Sequence, residues 1–319
     1  MCYSAQVWSD YKKYVRHFGA DVSLREFYRL YIERSEGASL RLPKGVDASF
    51  ANSTTEEERR IQTLIEAYDL QQVAKYEQEV FKQRKRLAEA DRALQSKITK
   101  AATENKRIAT DKIDRALAKL GDLRRTEIKE RDNRIFPLTY CPVMVWENGR
   151  RVVKPMRYQC RLAGKPKSYD FDYNGTYNAR RDNLSGFWKK QFGYTHAIVV
   201  VNAFYENVSL HRMEGRELAP DESEQNVVLK FKPRPTQDML VACLWSRWQK
   251  EGEPDLLSFA AITDDPTPEI VAAGHDRLIV QIKPENVDAW LNPDANDLAS
   301  QQRILDDRPR PYYEHRMAA

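Results

Sequence analysis

Apolar residues near the N-terminus recur at helical spacing in two short segments. The first, DYKKYVRHF, ends at Gly19, and the second, LREFYRLYIERSEG, begins after a capping-box pattern formed by Ser23 and Glu26. This spacing predicts two amphipathic helices. The stretch from Leu42 to Thr54 contains proline, glycine, serine and asparagine, and it predicts a linker.

A long charged segment that starts at Thr55 predicts helix, because its first turn is acidic and no proline or glycine interrupts it before Gly121. A coiled-coil seam needs two lines of apolar positions, each repeating every seven residues. One of these lines runs from Tyr76 to Glu104 and is half polar, so the seam is weak for a parallel dimer. A helical hairpin, folded back on itself or on the main domain, fits the pattern equally well. Apolar residues recur along the segment at heptad spacing: Val73, Val80, Leu87, Leu94, Ala101 and Ile108.

From Phe136 onward the pattern is that of β structure. The apolar segments FPLTYCPVMVW and RRVVKPMRYQCRL flank Asn148-Gly149, a dipeptide typical of tight type I′ turns, and they predict a β-hairpin. Further strands are predicted in THAIVVVNAFYE, NVVLKF, DMLVACLW, SFAAIT and RLIVQI. Short helices are predicted over Pro268–Ala273 and in KPENVDAWL.

Many strands with few helices between them favour an α+β fold, with an antiparallel barrel or curled sheet, over a doubly wound fold. We expect four parts in the chain. Residues 1–54 hold the two short helices, residues 55–134 are the charged helical segment, and residues 135–305 form the main β-rich domain. Residues 306–319 are polar and contain proline, so we expect a loosely held tail.

Composition limits the class of protein. Hydrophobic residues make up 41% of the 319, enough for a folded core. The net charge of +5 neither requires nor excludes a polyanionic partner. The four cysteines are far apart, with no CxxC pair, zinc-ligand spacing or signal peptide. No apolar run approaches the ~20 residues that cross a bilayer. We expect a cytoplasmic protein with reduced thiols, no metal, no cofactor and no membrane contact.

The segment MCYSAQVW places Cys2 directly behind Met1. Because the side chain at position 2 is small, we expect removal of the methionine, which leaves Cys2 with a free α-amine beside its thiol. Such a 1,2-aminothiol reacts with aldehydes. An α-amine, with a pKa of ~7.7–8.0, is partly neutral at pH 7, whereas a lysine near ~10.4 is almost wholly protonated. Taken alone, position 2 has a simpler interpretation as a frayed terminus.

Polar groups beside predicted strands supply further candidates. Glu206 ends the strand AIVVVNAFY, His275 lies just before the strand LIVQI, and Asn178 lies in YNARRDN. Each has a structural explanation when taken singly, because turns and strand ends commonly carry such groups. The β region also contains cationic and aromatic residues of the types that bind phosphates and stack on bases: Arg157, Tyr158, Arg180, Arg181 and Arg277.

The order of these motifs resembles that of a known family. Met-Cys at the N-terminus, then Asn-Ala-Arg, then Phe-Tyr-Glu at a strand end, then His-Asp-Arg before a strand resembles the SOS response-associated peptidase (SRAP) family. The predicted hairpin after Phe136, ACLW and PENVDAWL are similar to further family segments. The resemblance covers Met1–Ser4 and Phe136–Leu291. It implies a curled, β-barrel-like SRAP domain in which the helical run from Thr55 to Arg134 is an insertion.

Members of the family capture abasic sites in single-stranded DNA through a thiazolidine with the N-terminal cysteine. The resemblance implies that Cys2 is the nucleophile and that Asn178 positions the cysteine terminus. It implies that Glu206 transfers protons on the amine and sugar, and that His275 assists opening of the sugar ring and formation of the imine. The chain differs from the family pattern at several flanking positions, such as Tyr3, which stands where the family has glycine.

The resemblance also implies a DNA-binding surface. Arg180 and Arg277 match family arginines that hold DNA phosphates, and Arg157 with Tyr158 falls in the corresponding segment. The expected partner is therefore single-stranded DNA that contains an abasic site, and the expected activity is formation of a DNA–protein crosslink. The resemblance also leaves lyase activity at the same site open.

Two other classes of function fit the residues. A cysteine peptidase or self-processing protein would use Cys2 with His275 and Glu206 to attack an acyl bond, and it could work with a blocked α-amine. A binding protein would instead engage a partner protein through the helical insertion and use the β domain as a scaffold. In that case Cys2→Ala would leave activity intact and deletion of the insertion would abolish it.

Overall fold

A computed structural model describes residues 3–173 and 175–318, so Cys2 lies outside the described residues. The chain forms two compact units. One unit is built from the chain up to Leu30, from Ser39–Asn52, and from Lys129 onward; we call it the β unit. The other consists of Tyr31–Ala38 and Ser53–Ile128; we call it the helical unit. Arg134, which the sequence assigned to the helical segment, belongs to the β unit.

The helices occupy the segments where apolar residues follow a helical period, with several short ones between strands. Their bounds are α1 Tyr11–Phe18, α2 Leu24–Ser35, α3 Lys44–Ala48, α4 Glu56–Ser96, α5 Lys100–Arg124, α6 Tyr169–Asp172, α7 Leu210–Met213, α8 Pro268–Ala272, α9 Val287–Leu291 and α10 Leu298–Asp306. The predicted linker at residues 42–54 thus contains α3, and the predicted short helices near residues 268 and 287 are confirmed.

The strands belong to one mixed sheet. Their bounds are β1 Ser4–Val7, β2 Asp21–Val22, β3 Arg134–Ile135, β4 Tyr140–Glu147, β5 Arg150–Tyr158, β6 Asn178–Arg180, β7 His196–Ser209, β8 Asn226–Arg234, β9 Met239–Trp248, β10 Leu256–Asp264, β11 Leu278–Ile279 and β12 Tyr312–Met317. The strands predicted around residues 140–158, 196–206, 226–231, 239–245 and 258–263 are all present.

The sheet curls so that five strands close a ring, in the order β4, β5, β10, β9 and β7. All pairs in the ring are antiparallel except β5 with β10. This is the α+β, barrel-like arrangement expected from the sequence. Alternate residues of the ring strands fill one core, because successive side chains of a strand point to opposite faces: Val143, Val145, Ala197, Val199, Val201, Val241, Cys243, Leu257, Phe259 and Ala261.

The predicted hairpin is confirmed by the pairing of β4 with β5, in which Glu147 lies opposite Arg150. Asn148 and Gly149 are left as the two turn residues, and both have positive φ, 52° and 79°. Two positive φ angles are the signature of a type I′ turn, whose twist matches that of the flanking strands.

The last strand corrects the expectation of a loosely held tail. Residues Tyr312–Met317 pair antiparallel with β8, from Tyr312 opposite Arg234 to Met317 opposite Leu229. Tyr313 is buried and its hydroxyl accepts a hydrogen bond from Gln281. The segment is polar with one buried residue, a pattern typical of a loose terminus. Backbone pairing with β8 and burial of Tyr313 nevertheless hold it as a strand.

The helical unit is a hairpin of α4 and α5. Helix α4 begins with a capping box in which Thr55 and Glu58 satisfy each other's backbone N–H groups. It ends at Ser96, because Lys97 is extended and the Thr99 hydroxyl accepts a hydrogen bond from the N–H of Ala102, which starts α5. The hairpin alternative is therefore confirmed for this segment. Apolar side chains pack between the two helices: Val73, Tyr76, Val80, Ala116 and Leu120.

Candidate active site

Strand β7 brings Glu206 into the centre of the β unit. This strand pairs with β1, β4, β8 and β9, so it is bonded on both edges over much of its length. Glu206 lies opposite Leu229 of β8, and its side chain is only 1% exposed. A carboxylate so far removed from water needs polar neighbours.

His275 supplies such a neighbour from the loop after α8. Its Nε2 lies 3.1 Å from Oε2 of Glu206. Its Nδ1 lies 3.0 Å from the carbonyl oxygen and 3.3 Å from the amide nitrogen of Arg277, so the backbone of that residue fixes the imidazole ring. The imidazole is thus held through Nδ1 while its Nε2 faces the carboxylate, an arrangement that suits proton transfer between the two groups.

Gly274 permits the backbone turn that places His275 beside Glu206. Its φ of +86° is left-handed, a conformation that a residue with a Cβ rarely adopts. A Cβ there would also lie 3.1 Å from the Cβ of Arg212. The amide of His275 then bonds the carbonyl of Ile270 at 3.1 Å, which closes the turn after α8.

The Glu206–His275 pair lies in the wall of a pocket of about 430 Å³ in the β unit. The pocket is open to solvent and is lined by residues from β1, β3, β7, β8 and the adjoining loops: Tyr3, Ser4, Arg134, Phe136, Tyr177, Tyr205, Glu206, Asn207, Val228 and His275. Its volume is that of a small-molecule site rather than a large cleft. Strand β1, which the sequence reasoning did not predict, thus brings the N-terminal segment to the pocket.

Aromatic rings form one side of this pocket. Tyr3 contacts Phe136 and Tyr177 edge-on, with ring centroids 5.9 and 6.1 Å apart, and remains 49% exposed. A half-exposed ring held in place by other rings has the geometry of the aromatic surfaces on which bases stack in proteins that bind single strands. Sequence reasoning missed these residues, because single aromatic residues far apart in the chain give no pattern until the fold brings them together.

Arg134 is the cation of the pocket, and sequence reasoning missed it as well. It lies on β3 opposite Gln6 of β1. Its Nε and Nη2 donate to Oγ of Ser4 at 3.1 and 2.8 Å, and its guanidinium lies 3.7 Å from the ring centroid of Tyr205. The residue directly follows the long charged segment, so its position in the sequence gives no sign that it belongs to a site.

Cys2 lies outside the described residues, and it directly precedes Tyr3 of the pocket wall in the sequence. The other three cysteines of the chain, Cys141, Cys160 and Cys243, are buried and not in disulfides. Burial raises the pKa of each thiol, that of Cys160 to about 12. They are therefore protonated at neutral pH and unsuited to nucleophilic chemistry.

Asn178 begins β6 and is 7% exposed. It follows Tyr177 of the pocket wall, and its backbone lies beside Ala261 of β10. Within residues 3–173 and 175–318, neither its Oδ1 nor its Nδ2 has a hydrogen-bond partner. A buried amide in this state has the capacity to bind a polar group that lies outside those residues.

The structure does not bring Arg157 and Tyr158 to the surface. Arg157 is 7% exposed, and its Nη1 and Nη2 lie 2.8 and 3.0 Å from the carboxylate of Asp170. Tyr158 is 2% exposed and packs against Tyr177 and Phe259. Neither side chain is available to a DNA strand at the surface, so direct phosphate or base contacts by these two residues are not supported. The carboxylate of Asp170 pairs with the guanidinium of Arg157, and this pairing keeps the Arg157 side chain in the interior.

Arg180 and Arg277 lie near each other, beside the end of β10. Arg180 is opposite Thr263, and Leu278, which follows Arg277, is opposite Asp264. The side chain of Arg180 is 51% exposed and pairs with Asp182, while that of Arg277 lies 3.8 Å from Asp265. Arg181, in contrast, is held by Asp264 and Asp306.

Comparison with known families decides the assignment. The family model described as SOS response associated peptidase (SRAP) matches residues 96–318, more than half of the chain. The chain belongs to the SRAP family. The family's link with the SOS response supports a DNA-damage-associated function for this SRAP protein.

Solved structures give a weaker likeness. A protein from Bordetella bronchiseptica is 18% identical, with a TM-score of 0.47 over 59% of this chain and 87% of its own. A protein from Bacteroides thetaiotaomicron is 14% identical, with a TM-score of 0.45 over 59% of this chain and 78% of its own. A phage-related protein from Bordetella bronchiseptica is 18% identical, with a TM-score of 0.44 over 61% and 85%. A comparison with curated proteins gives no match.

Two properties of the described residues bear on partners. No group of three or more His, Cys, Asp or Glu side chains among them is placed to hold a metal ion. No helix in the same part of the chain is both long enough and apolar enough to span a membrane.

Proposed function

We propose that this SRAP protein captures abasic sites in single-stranded DNA through Cys2 after removal of Met1. The observation that carries the proposal is the buried contact between Glu206 and His275, 3.1 Å long, in the wall of a pocket that Tyr3 and Ser4 also line. Glu206 and His275 therefore line the same pocket as Tyr3 and Ser4, which directly follow Cys2 in the sequence. Such a pair is what condensation of an amine with an aldehyde requires.

The reaction begins with the ring-opened abasic sugar, which presents an aldehyde. The α-amine of Cys2 adds to the aldehyde carbon, and Glu206 accepts a proton from the resulting ammonium. His275 delivers a proton to the alkoxide oxygen, which gives a neutral carbinolamine. Transfer of the second nitrogen proton to the hydroxyl through the same two residues releases water and leaves an imine. The thiol then adds across the carbon–nitrogen double bond, with its proton transferred to nitrogen, to close a thiazolidine. The net change is aldehyde plus aminothiol to thiazolidine plus one water.

Ring closure makes the adduct lasting. The thiol and the imine belong to one residue, so the second addition is intramolecular, and such reactions reach effective molarities of ~10⁵ M or more when the geometry is right. The three other cysteines do not compete, because their thiols are buried and protonated. Asn178 would position the Cys2 terminus with its buried amide.

DNA recognition has to come from phosphates and neighbouring bases, because an abasic site offers no base. Arg180 and Arg277 supply cations beside the end of β10. The exposed ring of Tyr3 supplies a stacking surface at the pocket. Arg157 and Tyr158 have no part in this proposal, since both are interior residues.

Intact-mass measurement tests the proposal. The protein is incubated with a single-stranded oligonucleotide that carries one abasic site, and we expect a heat-stable adduct whose mass is protein without Met1, plus oligonucleotide, minus one water. An oligonucleotide with a tetrahydrofuran at that position lacks the aldehyde and should give no adduct. The Cys2→Ala variant should give none either.

A protein with an uncleaved tag before Met1 separates this function from that of a peptidase. The tag blocks the α-amine of Cys2 and leaves its thiol. Loss of the adduct in the tagged protein supports the proposal. If the tagged protein forms the same adduct, or if the trimmed protein forms none, thiazolidine capture is contradicted.

A further inference from the structure

The guanidinium of Arg134 lies in the pocket wall without a counter-anion. Both hydrogen bonds it makes go to the neutral hydroxyl of Ser4. Its faces contact the rings of Tyr205 and Phe136, at 3.7 and 4.8 Å from the centroids. Within residues 3–173 and 175–318, no carboxylate lies within ion-pair distance of it, and its Nη1 makes no hydrogen bond.

Such an arrangement costs stability unless an anion binds. Arg134 is half-buried, and partial withdrawal of a cation from water without a carboxylate partner is unfavourable; this burial lowers the pKa of Arg134. Two bonds to Ser4 and two ring contacts nevertheless fix the orientation of the guanidinium. A side chain held in a fixed orientation despite this cost is preorganised for a ligand.

The charged surroundings of Arg134 favour an anion in the pocket. Lys230 also contacts the Tyr205 ring, with its Nζ 5.7 Å from the centroid, and is 4% exposed. Burial, followed by the charges of Lys232 and Arg316, lowers the pKa of Lys230 to about 8. The carboxylate that pairs with both lysines belongs to Glu130, whose side chain is 46% exposed and therefore screened by solvent.

We propose that Arg134 binds a backbone phosphate of the DNA strand next to the sugar that enters the pocket. This inference rests on the proposed function for the identity of the strand. A guanidinium matches the geometry of a phosphate, to which it donates paired hydrogen bonds. The pocket places Arg134 together with Glu206 and His275, so one strand would meet the cation with its phosphate and the proton-transferring pair with its sugar.

The salt dependence of DNA binding tests this role without any covalent chemistry. The full-length protein is titrated with a single-stranded oligonucleotide that contains one tetrahydrofuran, at several salt concentrations. For single strands each phosphate contact adds about 0.7 to the slope of log K against log[salt]. We expect Arg134→Gln to lower the slope by about that amount and Arg134→Lys to preserve it. Arg150→Gln, at a 67% exposed side chain paired with Asp21, is the matched control and should leave the slope unchanged.

A neutral methylphosphonate at each phosphate beside the tetrahydrofuran identifies the contact. At one position we expect wild-type binding to weaken about tenfold, because a charge-assisted bond is lost, and Arg134→Gln to show no further loss. Should Arg134→Gln fail to fold, Arg134→Lys takes its place, and the methylphosphonate should then cost it less than it costs the wild type. An unchanged salt slope in Arg134→Gln, or equal methylphosphonate losses in all proteins, would overturn the proposal.

Reaction with free 2-deoxyribose separates this proposal from the proposed function. The free sugar carries the aldehyde but no phosphate, so Arg134→Gln should react with it as fast as the wild type and about tenfold more slowly with the abasic oligonucleotide. Equal slowing with both would assign Arg134 to the chemical step and contradict phosphate binding. If the wild type reacts with neither, the proposed function fails, and the salt slope still decides the role of Arg134.

Discussion

The imidazole of His275 lies 3.1 Å from the carboxylate of Glu206, and this contact sets the chemistry available to the pocket. The two residues come from different elements, the strand β7 and the loop after α8. Backbone groups of Arg277 hold the imidazole from its other side.

Glu206→Gln should slow adduct formation by about 100-fold, because the amide keeps the shape of the side chain but cannot accept a proton at neutral pH. The rate is measured by quenching the reaction with an abasic oligonucleotide and resolving the adduct by denaturing electrophoresis. Glu217→Gln, at an exposed position, is the matched control. If the two variants react equally fast, Glu206 does not transfer protons in this reaction.

Arg180→Gln and Arg277→Gln should each reduce the salt slope of single-strand binding by about 0.7, because each removes one phosphate contact. Arg157→Gln should instead lower the thermal unfolding midpoint by several degrees and leave the salt slope unchanged, because the guanidinium of Arg157 is hydrogen-bonded to Asp170 in the interior. Titrations and melting curves of the same preparations check both. A reduced slope in Arg157→Gln with a normal midpoint would contradict this division of roles.

Asp170→Asn should destabilise the protein by about 3–5 kcal/mol at pH 7, because it leaves two buried guanidiniums without a carboxylate. Burial raises the pKa of Asp170, but the hydrogen bonds from Arg161 and Arg157 outweigh it and hold the pKa below its ordinary value. The stabilisation is therefore present above the unfolded pKa of ~3.9 and is lost as the pH falls through the folded pKa. Urea unfolding between about pH 3 and pH 7 should show the variant and wild type converging at low pH.

Asp182→Asn provides the comparison for that measurement. Asp182 pairs with Arg180, but its side chain is 62% exposed, so its loss should change the free energy of unfolding by about 1 kcal/mol or less. A pH-independent gap between Asp170→Asn and the wild type would show that the carboxylate charge is not what stabilises this cluster.

An isolated peptide of residues 53–128 should give a helical circular dichroism spectrum. Its two helices bury a shared apolar seam that includes Val80 and Leu120, and α4 carries a capping box. Val80→Asp should abolish most of the helical signal, because it places a charge in that seam. Leu70→Asp is the matched control, because Leu70 is 71% exposed. A coil-like spectrum of the unsubstituted peptide would contradict the prediction.

The sequence predicted those parts of the fold whose local pattern agrees with their tertiary setting. Apolar strands around Asn148-Gly149 gave the hairpin, because both the strand period and the turn chemistry are local. The helix break at Lys97 was not predicted, because α4 ends at this extended residue and α5 starts at the Thr99 N-cap without glycine or proline to mark the break. The short strand β1 was missed because four residues carry no period, and long-range pairing with β7 creates it.

The candidate site was predicted unevenly for a related reason. Glu206 and His275 follow motifs, and the structure brings them together. The family resemblance assigned Arg157 to DNA, but a sequence does not show the carboxylate with which this cation pairs, here Asp170. Arg134 was not predicted as a site residue, because nothing near it in the chain indicates that its guanidinium lies without a carboxylate partner.

The pairing of β12 with β8 has a consequence for how the molecule behaves at high concentration. In the described part of the chain, β8 has β7 on one side and β12 on the other. Without β12, its free N–H and C=O groups would offer a template on which another molecule could extend the sheet. Strand β12 places Glu314, His315 and Arg316 on the outside instead, and charged outer strands resist such extension. The pairing with β12 therefore disfavours extension of the sheet by a second molecule at the edge of β8.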